Sequence, residues 1–382
     1  MAAALDDSVL DDPSRLAAAD PEGLLRSLAT AGAQLREARA LAAEADVVGQ
    51  LAGLRPRSVL VAADPGADDV AAALIALTSG PEAAAPVLRC EGPALPVWAG
   101  AADVLLAATV SAGPTSAASL AESAGRRGLT VVGTGPDGSP LHEACGRNRA
   151  PFVPVPGGRH PAATFWGLVT PLFMAAGALG LLVPPAADPA TLEAAADLLD
   201  RLAERVGPIR ETYGNPAKAL ALEFHGALPV LWGTSPLTGA VARRAAGRLA
   251  AAGRPALAGT LPTAADRLGG VLSGTAADPD DFFRDRVDEP EVLGPRLVLL
   301  RDADEAVLVR RQVDRLHAAA SATGVPLTEL SAEDAEGAAG PLGRYGSLAG
   351  LLDLAAAYLG LASGGAPPPF DPVLPADREG TR

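Results

Sequence analysis

The sequence predicts an α/β fold of two doubly wound parallel sheets, preceded by a helical segment. Three observations predict it. Short, uninterrupted apolar runs alternate with Ala-rich helical patterns, as expected of strands buried on both faces. The strand–helix pattern occurs twice along the chain. The chain has 382 residues, 49% of them hydrophobic, which is enough for a sizeable core and two domains.

Residues 6–50 carry helical spacing, with Leu24, Leu25, Leu28, Leu35 and Leu41 on one face and Asp12-Pro13 as a helix start. The first strong strand is SVLVAA (58–63), followed by the turn DPGADD and a helix over 70–77. A second strand, DVLLAATV (103–110), runs into the small polar loop SAGPTS and a helix over 117–127; LTVVG (129–133) is the third strand. The pattern then returns. LPVLWG (228–233) leads through TSPLTG into a helix over 240–252. RLVLLRD (296–302) precedes a helix over 305–320, and PLTEL (326–330) is the last strand. The expected division is N-terminal helices over 1–50, a first sheet domain over 51–187, a linker helix over 188–214, a second sheet domain over 215–365 and an extended Pro-rich tail over 366–382.

Composition excludes several functions. Lys and Arg number 31 against 45 Asp and Glu, a net charge of −14, which argues against a sequence-independent nucleic-acid binder. The two cysteines, Cys90 and Cys145, form neither a disulfide framework nor a zinc ribbon. The acidic opening MAAALDDSVLDD lacks the basic start of a signal peptide, so a cytoplasmic, soluble protein is expected. Residues 161–187 carry no charge and are long enough to span a bilayer. Pro171 interrupts that run and no basic cluster flanks it, which favours a buried helix and no membrane association. Lys218 is the only lysine. A mechanism that needs a lysine must use it or do without.

Ligands of doubly wound sheets bind beyond the carboxyl ends of the strands, at loops entering helix N-termini. The best phosphate candidate is the loop after the second strand, where Thr109, Ser111, Thr115 and Ser116 supply hydroxyls. An ordinary Ser/Thr helix cap reads the same way. Asp64, Asp68 and Asp69 crowd the start of the preceding helix, which suits a helix dipole and repels an anion. Gly133, Gly135 and Gly138 spell G-x-G-x-x-G, but they follow the third strand and no acid stands where a dinucleotide ribose needs one. The four histidines show no metal-ligand spacing. Arg159, in PVPGGRHP, is placed to serve a phosphate or an enolate, and a plain surface turn reads the same way.

Together these segments resemble the sugar isomerase (SIS) superfamily, in particular the bifunctional phosphoglucose/phosphomannose isomerases, in a divergent actinobacterial branch. The resemblance spans roughly residues 10–375. It rests most on NPAKALALEFHGALPVLWG (215–233), with VPGGRHPAATFWGLVTPLF, DDPSRLAAADPEGLLRSL and DPVLP in support. It implies two SIS domains, a homodimer, no cofactor or metal, and a sugar phosphate ligand: glucose 6-phosphate, mannose 6-phosphate or fructose 6-phosphate. Family members move a proton between C1 and C2 through an enediolate, which needs a carboxylate base and positive charge near the oxyanion.

Several family residues are replaced here. The family loop S-x-S-G-N-T-x-E reads TVSAGPTS over 109–116, keeping hydroxyls and losing the Asn and the acid. Against the family segment that carries the base, Thr263 falls on the Glu position and Asp266 on the His. Ala162 falls on the family arginine, with Arg159 three residues earlier, and no lysine follows Lys218. Two functions are therefore expected, beside a third reading as a structural partner subunit with no ligand. One is an aldose–ketose phosphosugar isomerase using Asp266 as base and Arg159 to support the enediolate. The other is a catalytically degenerate SIS protein that binds a sugar phosphate or a partner as a regulator.

Overall fold

The protein is described by a computed structural model covering residues 6–267, 270, 293–303, 305–333 and 337–364. The expected tail over 366–382 lies outside these residues. The described chain forms two compact units. The first runs from Ala33 to Ala187; the second joins the residues up to Gly32 with those from Asp188 onward. Helices α1 (Pro13–Ala19), α2 (Leu24–Ala29), α3 (Ala31–Glu44) and α4 (Val47–Leu51) open the chain.

In the first unit, β1 (Ser58–Ala63), α5 (Asp68–Leu77), β2 (Val87–Arg89), β3 (Asp103–Ala108), α6 (Ser116–Arg126), β4 (Thr130–Gly135), α7 (Pro140–Arg147), β5 (Phe152–Pro154) and α8 (Phe165–Ala178) follow in order. The five strands are parallel and lie in the order β2-β1-β3-β4-β5. The chain leaves β1 toward one edge and returns through β3 toward the other, so β1 and β3 flank the switch point. Residues 58–62 of β1 and all of β3 are buried, which explains why both read as unbroken apolar runs. β2 and β5 are three-residue edge strands with partly exposed side chains, so they carry no such signal.

The foot of this sheet is tied by Asp103. Its carboxylate accepts hydrogen bonds from Arg57 Nη2 (2.6 Å), Ser58 Oγ (2.8 Å) and the Gly100 amide (2.8 Å). These contacts join the amino ends of β1 and β3. Burial alone would raise the pKa of this group, but Arg57, Gly100 and Ser58 outweigh it and hold it down at about 2.

The second unit holds α9 (Pro189–Arg205), α10 (Pro216–His225), β6 (Ala227–Gly233), α11 (Pro236–Ala251), β7 (Leu257–Thr260), β8 (Gly294–Arg301), a helix over Val307–Thr323, β9 (Leu327–Ser331) and a closing helix over Gly340–Ala362. Its sheet is also parallel, in the order β7-β6-β8-β9. Here the switch point falls between β6 and β8. Each sheet is thus the doubly wound type that the sequence predicts. The closing helix packs against α9, α10 and α11, and α1 and α2 pack on it as well. Inside this helical layer Asp353 pairs with Arg244 at 2.7 Å, both side chains almost wholly buried.

Among the described residues two helices are long and apolar enough to cross a membrane, over Pro161–Ala178 and Gly340–Ala362. In their most apolar windows 72% and 94% of the residues, respectively, are buried inside the protein. Pro171 lies within α8, whose residues 165–176 are all buried. A core helix accounts for the uncharged stretch.

Lys218 is 1% exposed. Its Nζ donates to the carbonyls of Leu10, Pro208 (2.9 Å) and Arg210 (2.6 Å) and lies 5.5 Å from the centre of the Tyr358 ring. Burial pulls its pKa below the ordinary lysine value, opposed by Asp11 and Glu211. The only lysine therefore binds the start of the chain to the segment before α10, and none remains for chemistry.

Replacing Lys218 with Met is expected to destabilise the protein by about 2–4 kcal/mol, since hydrogen bonds to a charged group are lost and carbonyls are left unmet; urea unfolding measures it. A second outcome follows from Asp103. Its folded pKa lies below the unfolded value, so its contribution is present above about pH 4 and is lost as pH falls toward 2. Melting temperatures of wild type and Asp103→Asn should therefore differ near neutrality and converge toward pH 2.

Candidate functional site

The carboxyl ends of β3, β4 and β5 open on a cavity of about 160 Å³. Thr109, Val110, Pro136, Val155, Gly157, Arg159 and Thr164 contribute to its lining. The walls are mostly apolar, and Arg159 supplies the charge. The volume is below the ~300–1,000 Å³ of pockets that enclose a drug-sized ligand, so the cavity suits one end of a ligand rather than a whole hexose phosphate.

Local structure explains how these residues meet. Gly135 ends β4, and a Cβ there would lie 2.8 Å from Thr109 Cγ2 and 2.9 Å from the Thr109 carbonyl oxygen. The glycine lets the turn after β3 press onto β4, which is the role of this part of the G-x-G-x-x-G string. After β5 the chain turns at Gly158, whose φ of +85° favours glycine, and presents Arg159. Arg159 Nη2 lies 2.5 Å from Glu37 Oε2, and its side chain is 21% exposed. His160 then starts the short turn before α8, its Nδ1 accepting from the Ala162 amide at 3.1 Å.

The other hydroxyl candidates lie on the loop that enters α6. Each takes part in a hydrogen bond within the unit. Thr109 Oγ1 accepts from the Ser111 amide (3.1 Å) and Ser111 Oγ from the Gly113 amide (3.0 Å). Thr115 is the N-cap of α6, accepting from the Ala118 amide at 3.3 Å. Ser116 donates its proton to Asp64 Oδ1 at 2.8 Å.

Sequence reasoning misses Asp64 as a site residue. Its charge suggests an acid at the start of its own helix, yet α5 has no side-chain cap. Instead Asp64 crosses the switch point to the helix after the neighbouring strand. Besides Ser116 it accepts from the Ala117 amide (3.1 Å), and its residue is 3% exposed. Among the described residues its other oxygen, Oδ2, is buried without a hydrogen-bond partner. An unmet buried polar atom costs about 1–3 kcal/mol, and more for a charged group. Asp68, by contrast, pairs with Arg89.

The second unit repeats the theme with different residues. At its switch point Asp302 follows β8, and its Oδ2 accepts from Ser235 Oγ at 2.6 Å. Ser235 is the N-cap of α11, in a capping box with Thr238. Asp302 Oδ1 also accepts from Arg344 Nε at 3.1 Å. This carboxylate is therefore paired with a cation, whereas Asp64 is bonded by a hydroxyl and an amide. Nearby Glu305 bonds Arg301 at 2.6 Å; burial would raise its pKa, but Arg301 and Thr234 hold it below the ordinary value.

Asp266 lies on the short turn Thr263–Arg267 after β7 in the second unit, with its side chain exposed. Thr109 and Arg159 are thus brought together in one cavity of the first unit, while Asp266 is a surface carboxylate of the other. Among the described residues no group of three His, Cys, Asp or Glu converges as a metal site. Both cysteines are buried, and burial raises the Cys145 thiol to about 12, so it is no nucleophile near neutrality. A larger cavity of about 310 Å³ lies at the opposite, amino end of β4, lined by Gln50, Asn148 and Arg149 among others.

Residues 214–374 match the model of the bacterial phospho-glucose isomerase C-terminal SIS domain. No curated protein matches the chain by sequence. Solved structures share the fold at low identity. Hypothetical protein TT0462 from Thermus thermophilus superposes with a TM-score of 0.64 at 15% identity, covering 92% of this chain and 89% of that one. Tagatose-6-phosphate ketose/aldose isomerase from Escherichia coli does so with a TM-score of 0.59 at 11% identity, covering 91% and 94%. Residues 214–374 are thus similar in sequence to a SIS domain of the bacterial phospho-glucose isomerase type, and the fold is similar to that of these solved structures.

Proposed function

We propose that the protein binds a phosphorylated sugar without isomerising it. The cavity that joins Arg159 to Thr109 at the carboxyl edge of the first sheet carries this reading. A guanidinium presents several donors in a planar fork suited to a phosphate. Glu37 engages one of its nitrogens and keeps the head oriented. Thr109 accepts from an amide, which leaves its own proton to be donated. In this reading Ser111 and Thr115 shape the loop more than they touch the ligand.

The chemistry of isomerisation is poorly supported by comparison. Abstracting a proton from carbon needs a carboxylate held against the substrate, commonly with its pKa raised by burial. Asp266 is exposed, Thr263 cannot serve as a carboxylate, and Lys218 is structural. The second reading, an active aldose–ketose isomerase, draws its support from the matched SIS domain at residues 214–374, which includes Asp266. The ligand under either reading is glucose 6-phosphate, mannose 6-phosphate or fructose 6-phosphate, the location cytoplasmic and the assembly a homodimer.

Calorimetric titration with the three hexose phosphates, beside coupled isomerase assays, separates these readings. Binding without turnover is expected, weakened about tenfold or more in Arg159→Ala, as for loss of one charge-assisted contact. Turnover abolished by Asp266→Asn would instead make the protein an isomerase. Absence of binding by all three sugars would remove the ligand altogether. Light scattering should give a dimer; a monomer at assay concentration would argue against sites shared between subunits.

A further inference from the structure

Asp64 holds the place where an incoming anion would be expected. The amino end of a helix favours negative charge, through its unmet amides and its dipole. At α6 two of those amides already have partners: Ala118 bonds the Thr115 hydroxyl and Ala117 bonds Asp64. Ser116, the hydroxyl nearest the helix start, is also turned to Asp64. The carboxylate thus supplies from within the chain both the charge and the acceptor that a phosphate would supply from outside.

The second observation is the unmet oxygen that this arrangement leaves. Asp64 is only 3% exposed, yet Oδ2 has no partner among the described residues. Its counterpart Asp302 engages both oxygens, one with Ser235 and one with Arg344 and the Ala303 amide. A carboxylate placed for stability alone would be expected to satisfy both oxygens as Asp302 does.

We propose that Asp64 is a resident occupant of the α6 anion seat and determines which ligand groups the first unit admits. While it is in place, a phosphate is refused at this loop by like charge in a poorly solvated crevice. Groups that donate hydrogen bonds, such as sugar hydroxyls, are tolerated. The phosphate of a sugar ester is then read at Arg159. The inference rests on the proposed function in so far as the ligand is a phosphorylated sugar, but the behaviour of the seat can be tested with inorganic phosphate alone.

The test is calorimetric titration of inorganic phosphate and of glucose 6-phosphate into wild type, Asp64→Asn, Asp64→Ser and Arg159→Ala, with circular dichroism and thermal melts to establish folding. Asp64→Ser keeps a hydroxyl acceptor for the Ala117 amide and serves if the Asn variant does not fold. The expected result is a gain of about tenfold or more in affinity for inorganic phosphate when the charge is removed. That gain should be lost when Ser116→Ala is added. Equal affinity in wild type and the folded charge-removing variant overturns the inference, even if Arg159→Ala shows that the sugar phosphate is bound. A gain in the variant with no binding of any of the three hexose phosphates by wild type upholds the inference and removes the proposed function.

Discussion

The hydrogen bonds from Ser116 and the Ala117 amide to Asp64 underlie the proposed reading of the first unit. They cross the switch point between β1 and β3, where a doubly wound sheet ordinarily receives its ligand. In the proposed reading, a buried carboxylate at that position closes the helix end to anions and leaves the cavity beside Thr109 as the open route. That closure deepens the functional reading, which the Arg159–Thr109 cavity carries. Charge recognition then moves from the helix end to Arg159, and the loop hydroxyls become parts of a scaffold.

The two sheets reach similar closures by different chemistry. Asp64 comes from the loop after the first strand of its unit and bonds the helix after the next long strand. Asp302 follows the second long strand of its own unit and bonds the helix after the first. In each case an acid and a hydroxyl at a helix start span the switch point. Asp302 is neutralised by Arg344, and the Arg244–Asp353 pair lies in the same unit's helical layer. Buried pairs of this kind contribute modestly to net stability, but removing one partner exposes the full desolvation cost of the other. Lys218 extends that pattern, since its three carbonyl contacts bind α10 to the chain start and the preceding segment.

Much of the fold is legible because buried parallel strands are written as plain apolar runs. β1, β3, β4, β6 and β8 all match runs such as SVLVAA and LPVLWG, and the resemblance to SIS proteins follows from NPAKALALEFHGALPVLWG. The short edge strands β2, β5 and β7 are not legible, having three or four residues each and side chains that are largely not buried. Helix α7 reads as loop in the sequence, because Gly138 and Pro140 mask a Ser139-capped start. At the candidate site, the sequence pattern singles out Arg159 and the Thr109 loop but misplaces Asp64. An acid a few residues ahead of a helix resembles a helix-start charge for that helix. Its bond to α6, whose Ser116 and Ala117 lie 52 and 53 residues later, is visible only after β1 and β3 are paired.

The most direct measurement is an experimental structure of the protein crystallised with inorganic phosphate at high occupancy. The account predicts Asp64 still bonded to Ser116 and the Ala117 amide, with any anion in the first unit found beside Arg159. Phosphate density on the Ala117 and Ala118 amides, with the Asp64 side chain turned away in the wild-type protein, would contradict it.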